Sequence, residues 1–382
     1  MQVSRHIGQF ETLRGIAATW VFISHALLIA EFPLPLLSNG DLAVDVFVLL
    51  SGFVITLLVL RRPEPYGWYI FRRGIRLYPL YFIALMLGWA TQGLYQPVIG
   101  ESLFGTMAQA NFFQRVAIIE ASLPEHLALH LTMLHGAVPD AILPLSALAF
   151  SGPLWSISLE WQFYLVAPLL IWCLDVRQPG RIRWAAIAVV ATIIINVISR
   201  LYWHADVPSF LPLRLPLFAA GIVSGVFWQR AQEVSLVRLG AILTGVAMLL
   251  VVSRISPIPL AAWVVTYWAA AAAGRSSWAD RFNHFLMLKP LRWLGERSYG
   301  VYVLHMPVVL AISAWLIVPY ARAWGQAVTL VALFACFPVV LLLAAVLYRT
   351  VERPVVNWAK RLGGGKPQVP VSDVTQKTRA AI

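Results

Sequence analysis

Residues 42–60 read LAVDVFVLLSGFVITLLVL, nineteen positions that include a single carboxylate and no cation. As a helix at 1.5 Å per residue this run would be about 28 Å long, close to the hydrocarbon thickness of a bilayer. Comparable runs recur at 10–30, 75–94, 154–174, 183–199, 211–228, 236–253, 258–273, 298–318 and 326–349. The segment 121–150 is apolar too, but Pro124, Pro139 and Pro144 interrupt it, so it is expected to be re-entrant or interfacial and not a further span.

Composition agrees with this pattern. The chain is 60% hydrophobic and 12% charged, about half the charge of an ordinary soluble domain. The net charge of +12 would suggest nucleic acid in a soluble protein. Here the basic residues lie mostly in short loops between apolar runs, where membrane topology accounts for them and no nucleic-acid partner is expected. With Met1 cytoplasmic, all but five of the 29 Lys and Arg fall on the cytoplasmic side, the exceptions being Arg115, Arg200, Arg214, Arg254 and Arg322. Counting 121–150 as a span would invert every later loop and destroy that bias. The expected fold is therefore all-α, a polytopic transmembrane helix bundle of about ten spanning helices with N- and C-termini cytoplasmic. Residues 1–362 form the membrane domain, and 363–382 (GGGKPQVPVSDVTQKTRAAI) a flexible cytoplasmic tail. The first helix is expected to be retained, because no basic leader with a cleavage site precedes it. Cys173 and Cys336 sit in apolar segments and read as packing, not as a disulfide or a metal site.

Ionisable side chains inside such runs cost several kcal/mol unless they face protein or water, which makes each a candidate for function. Arg14 and His25 are eleven residues apart on the first helix, almost three whole turns, so they share a face with backbones about 16 Å apart. Asp45 begins the second helix at the level of His25, where a carboxylate could orient the imidazole as a general base requires. Glu160 lies too deep in its run for its short stem to reach water. Arg72, Arg73 and Arg76 sit with Tyr78 and Tyr81 in the stretch 71–81, a loop at a helix entrance on the cytoplasmic side. Guanidinium forks match phosphate oxygens and stack on rings, which suits an adenine nucleotide. Tyr299 and His305 are placed on the path between these arginines and His25. Each residue has a structural alternative: Arg14 snorkelling to the interface, His25 bonding to another helix, Asp45 capping its helix, Glu160 pairing with Arg214, the arginines anchoring by the positive-inside rule, and His305 satisfying a carbonyl freed by Pro307.

Taken in order, the segments 13–25, 44–53, 72–81, 153–168, 295–307 and 348–354 resemble the membrane-bound acyltransferase-3 family, bacterial O-acyltransferases of cell-surface glycans. The stretch 10–12, Phe-Glu-Thr, departs from the Leu-Asp-Gly start of many members. The resemblance implies transfer of an acyl group, commonly acetyl, from cytoplasmic acyl-CoA to a saccharide hydroxyl near the outer face, without a metal. His25 would be catalytic, Arg14 its partner, Arg73 with Arg76 the holders of the coenzyme, and Glu160 the intramembrane glutamate. It also implies the bacterial cytoplasmic (inner) membrane, a lipid bilayer as solvent, and glycan-assembly machinery as a partner. The rival reading from the residues is a transporter or flippase of a lipid-linked saccharide.

Overall fold

In the computed structural model, residues 8–61, 63–105, 114–178, 180–203, 206–252 and 254–362 are described. The tail expected at 363–382 lies outside them. All regular structure among the described residues is helical. In chain order the helices are α1 (Gly8–Ile29), α2 (Gly40–Arg61), α3 (Tyr66–Thr91), α4 (Arg115–Ala121), α5 (Leu123–Leu131), α6 (Trp155–Leu174), α7 (Ile182–Tyr202) and α8 (Leu211–Val226). They continue with α9 (Trp228–Ala231), α10 (Leu236–Val252), α11 (Pro257–Ala271), α12 (Ser277–Leu286), α13 (Lys289–Ile312), α14 (Val318–Phe334), α15 (Phe337–Leu347) and α16 (Arg353–Leu362).

Six helical stretches are long and apolar enough to cross a membrane by length and composition, the last being one run of 71 residues, Lys289–Ala359. Three shorter apolar helices add to them, Leu211–Val226, Leu236–Val251 and Pro257–Ala271. The long run is broken at Gly325, whose φ of 73° departs from helical geometry; glycine tolerates that region without a Cβ penalty. Segment 121–150 contributes only α4 to α5 and short turns, and supplies no spanning stretch.

Two helices start nine residues before their apolar runs do. α3 opens at Tyr66 behind Pro65, and α13 at Lys289 with a proline in its first turn. Proline preorganises a helix start whatever the hydropathy around it. Residues 71–74, expected as loop ahead of the run at 75–94, are consequently helix, which gives Arg72, Arg73 and Arg76 a fixed angular spacing. α7 and α10 turn Ile187, Ile194, Ile198, Val237, Val246 and Leu249 outward, an apolar face suited to lipid. Cys173 and Cys336 are both free thiols.

Close approach of backbones sets the helix register. A Cβ on Gly221 of α8 would lie 2.3 Å from the carbonyl oxygen of Leu49, and one on Gly52 of α2 would lie 2.5 Å from that of Phe218. Such small-residue contacts are how helices gain packing when lipid is as apolar as the partner. α1 and α13 meet in the same way: a Cβ on Gly295 would lie 2.4 Å from the carbonyl oxygen of Glu11, and one on Gly15 would lie 2.8 Å from the amide nitrogen of Gly295.

Candidate active site

A cavity of about 280 Å³ lies between α1, α2, α3, α6 and α13, with Phe218 of α8 on its wall. At one end Arg14, Arg73 and Arg76 face it together with Glu11 and Tyr164. It extends along the helices to Val44, Phe47, Ser156 and Tyr302 at the other.

The angular spacing of α3 decides which arginines serve the cavity. Arg73 and Arg76 are three residues apart and share a face; both line the cavity, as Tyr299 does. Arg72, expected beside them, is not among the residues lining the cavity and pairs with Glu64 at 3.1 Å. Arg76 is tied to Glu352 at 2.8 Å, a carboxylate with a side chain only 2% exposed. Arg73 makes no ion pair among the described residues, and its Nε is buried without a hydrogen-bond partner. Tyr69, one turn earlier, has a buried hydroxyl in the same condition. A buried donor without an acceptor costs about 1–3 kcal/mol, more when charged, so this corner is suited to an anionic ligand.

Arg14 does not snorkel away; its Nε donates to the hydroxyl of Ser298 at 2.9 Å and it faces the cavity. Glu160 is not paired with Arg214. Its Oε1 accepts from the hydroxyl of Ser51 at 3.0 Å and, in a short bond, from that of Tyr164. Tyr164 follows Glu160 by one helical turn, a spacing visible in the sequence that depth alone did not single out.

Asp45 is also placed differently from expectation. Its Oδ1 pairs with Nε of Arg214 at 3.0 Å, and the carboxylate is 4% exposed. Asp45, Leu49, Gly52 and Thr56 recur at helical spacing on one stripe of α2, the stripe packed on α8 through Gly221 and Gly225. The carboxylate therefore faces Arg214 at the start of α8, and among the described residues it makes no bond to His25.

His25 meets His305 instead. Nδ1 of His25 is 3.1 Å from Nε2 of His305 and 3.0 Å from the carbonyl oxygen of Val21. The register of α1 and α13 explains the meeting. Gly15 touches Gly295, and His25 follows the first by ten residues as His305 follows the second. Two parallel helices in register carry the contact about 15 Å along their length. His305 is fully buried, whereas His25 is half-buried.

Neither imidazole lines the cavity itself. The connection runs through Tyr302, one turn before His305, which forms cavity wall and has its ring 6.0 Å from that of His305. Tyr302 donates to the carbonyl of Pro153 at 3.0 Å and accepts from Ser156 at 2.7 Å. Phe47 packs edge-on against it with ring centres 5.3 Å apart. Tyr302 and Phe47 were not singled out from sequence; the one-turn spacing of Tyr302 from His305 was the available signal.

The family model described as "Acyltransferase domain" matches residues 7–349. The chain belongs to this acyltransferase-3 family. It is a transferase of acyl groups other than aminoacyl groups. The acyltransferase MdmB of Streptomyces mycarofaciens is 26% identical over 94% of this chain and 94% of its own. The peptidoglycan O-acetyltransferase OatA of Listeria monocytogenes is 23% identical over 83% of this chain and 51% of its own. The O-acetyltransferase OatA of Staphylococcus aureus is 25% identical over 93% and 58%. The chain thus spans little more than half the length of the OatA proteins. No solved structure matches it.

Proposed function

We propose that this acyltransferase moves an acyl group, acetyl in the first instance, from acyl-CoA to a hydroxyl of a cell-surface or lipid-linked saccharide. The observation that supports this reading best is the polar seam: a cavity with an unsatisfied arginine at one end, and beyond Tyr302 at the other the buried His305 in contact with the half-buried His25. In the bacterial cytoplasmic membrane, with about ten spans and both termini inside, the arginine end faces the cytoplasm and His25 the outer leaflet. Coenzyme phosphates would then meet Arg73, and the pantetheine arm would follow the cavity toward Tyr302. Glycan-assembly proteins are the partners that would supply or receive the saccharide.

The chemistry follows from the positions of the groups. The acceptor hydroxyl gives its proton to His25 as its oxygen bonds to the acyl carbon. The carbon–sulfur bond breaks, and the departing thiolate recovers a proton from the imidazolium. General-base help of this kind contributes roughly 10²–10⁴-fold, and alignment of thioester and hydroxyl supplies much of the remainder. The test is purified protein in nanodiscs with radiolabelled acetyl-CoA and muropeptide or lipid-linked oligosaccharide acceptors. Label should appear on saccharide oxygen with one free CoA released per transfer; release of CoA with no label on any saccharide would overturn the reading.

Phe47 and Tyr302 stand where an acyl group would approach His25. Tyr302 is pinned by two hydrogen bonds, while Phe47 is held by apolar contact alone. Shortening Phe47 to Leu or Ala is expected to enlarge this end of the site. The preference for acetyl-CoA over butyryl-CoA, measured as a ratio of kcat/KM, should fall by about tenfold, the order set by one or two methylenes in an apolar pocket. An unchanged ratio in both variants would place the acyl group elsewhere.

A further inference from the structure

Two imidazoles in contact have several protonation arrangements, and the surrounding carbonyls leave one of them for the neutral pair. Nδ1 of His305 lies 2.5 Å from the carbonyl oxygen of Tyr302. A carbonyl only accepts, so in neutral His305 the proton sits on Nδ1 and Nε2 carries the lone pair. That lone pair faces Nδ1 of His25 at 3.1 Å, and the carbonyl of Val21 faces the same Nδ1 at 3.0 Å. Two acceptors converge on one nitrogen, which must therefore hold the proton and share it between them. The unprotonated nitrogen of His25 is then Nε2.

We infer that His305 is a positioning residue: together with the Val21 carbonyl it holds the His25 ring as the Nδ1–H tautomer and so leaves Nε2 free to take the proton of the acceptor hydroxyl. This rests on the reading of His25 as the general base. During transfer the hydroxyl proton passes to Nε2 as the alcohol oxygen bonds to the acyl carbon and the carbon–sulfur bond opens. The same proton then leaves Nε2 for the thiolate. His305 keeps its own proton on Nδ1 throughout and accepts a stronger hydrogen bond from His25 while that ring is cationic.

The arrangement accounts for the absence of a carboxylate beside His25 among the described residues. Asp45 is committed to Arg214, and a second buried anion next to His25 would carry a desolvation cost that a neutral imidazole avoids. It also gives a reason for the fully buried state of His305, since a water reaching its Nε2 would compete for the lone pair and release the His25 ring. The shared ten-residue offset from Gly15 and Gly295 is what delivers the two rings to each other.

The test combines spectroscopy with variants. Solid-state ¹⁵N NMR of histidine-labelled protein in lipid, with His25 identified by difference from His25→Gln, should show His25 protonated at Nδ1 and not at Nε2. This measurement does not depend on turnover, so it separates failure of the tautomer inference from failure of the acyl-transfer reading. A wild-type His25 protonated at Nε2 overturns the inference. His305→Gln keeps an acceptor toward His25 and a donor toward the Tyr302 carbonyl; it should retain the tautomer and kcat within about tenfold. His305→Leu removes both, leaving the Val21 carbonyl alone to hold the His25 ring, and should lower kcat by about 10²–10³-fold with KM for acetyl-CoA unchanged, within the range that a well-placed general base contributes. Equal loss in both variants, or undiminished kcat in His305→Leu, also overturns it.

Discussion

His25→Ala should lower the rate of acyl transfer by at least about a thousandfold while leaving donor binding intact. The side chain is half-buried at the end of the seam opposite the arginines, and its hydrogen bonds to the described residues all fall on Nδ1, leaving Nε2 for an acceptor. Loss of the base removes the 10²–10⁴-fold that proton abstraction supplies, and loss of its ring also disturbs the acceptor's alignment. Arg14 and Arg73 are remote from the change, Arg14 by about 16 Å along α1. Binding of a non-hydrolysable acetyl-CoA analogue, followed by calorimetry, should therefore stay within about threefold of wild type while labelled transfer falls to background. Undiminished transfer would remove His25 from the chemistry, whereas lost transfer together with lost donor binding would point to collapse of the bundle.

The contrast between His25 and Asp45 shows what could be read from the sequence. Hydropathy and the count of turns order residues along each helix: α1, α2 and α6 begin and end within two residues of their expected bounds, and Arg14, Glu160, Tyr299 and Arg76 all line the cavity. Rotation about the helix axis is set by partners that single-helix periodicity does not name. Asp45 has the right depth to reach His25 but the wrong azimuth, because the small residues of its own stripe dock on α8. His305 has the right depth too, and its azimuth became legible only when Gly15 and Gly295 fixed a parallel register. Arg72 shows a related omission: it and Arg73 precede the expected helix start at 75, and a loop has no angular periodicity to separate 72 from 73. Residues that act through a neighbour one turn away, such as Tyr164 and Tyr302, carry no signal in hydropathy at all.

Arg73→Ala should raise KM for acetyl-CoA by about 10- to 100-fold and leave kcat at saturating donor within about threefold. Arg73 lines the cavity with neither an ion pair nor a side-chain hydrogen bond among the described residues, and its buried Nε has no partner; an anion bound there would gain hydrogen bonds to a charged group worth roughly 1.5–3 kcal/mol. Among the described residues the substitution breaks no ion pair or side-chain hydrogen bond, so thermal stability should hold or rise slightly as the orphaned donor disappears. Arg76→Ala separates binding from architecture, because it strips Glu352, a 2% exposed carboxylate, of its partner at 2.8 Å. Leaving such a group uncompensated costs on the order of 3–5 kcal/mol when fully buried, and less here, where the arginine side chain is 29% exposed. Arg76→Ala is thus expected to lower the melting temperature and affect KM and kcat together, whereas Arg73→Ala moves KM alone. If Arg73→Ala leaves KM unchanged, the coenzyme phosphates do not bind in this corner, and the unpartnered guanidinium needs another anion.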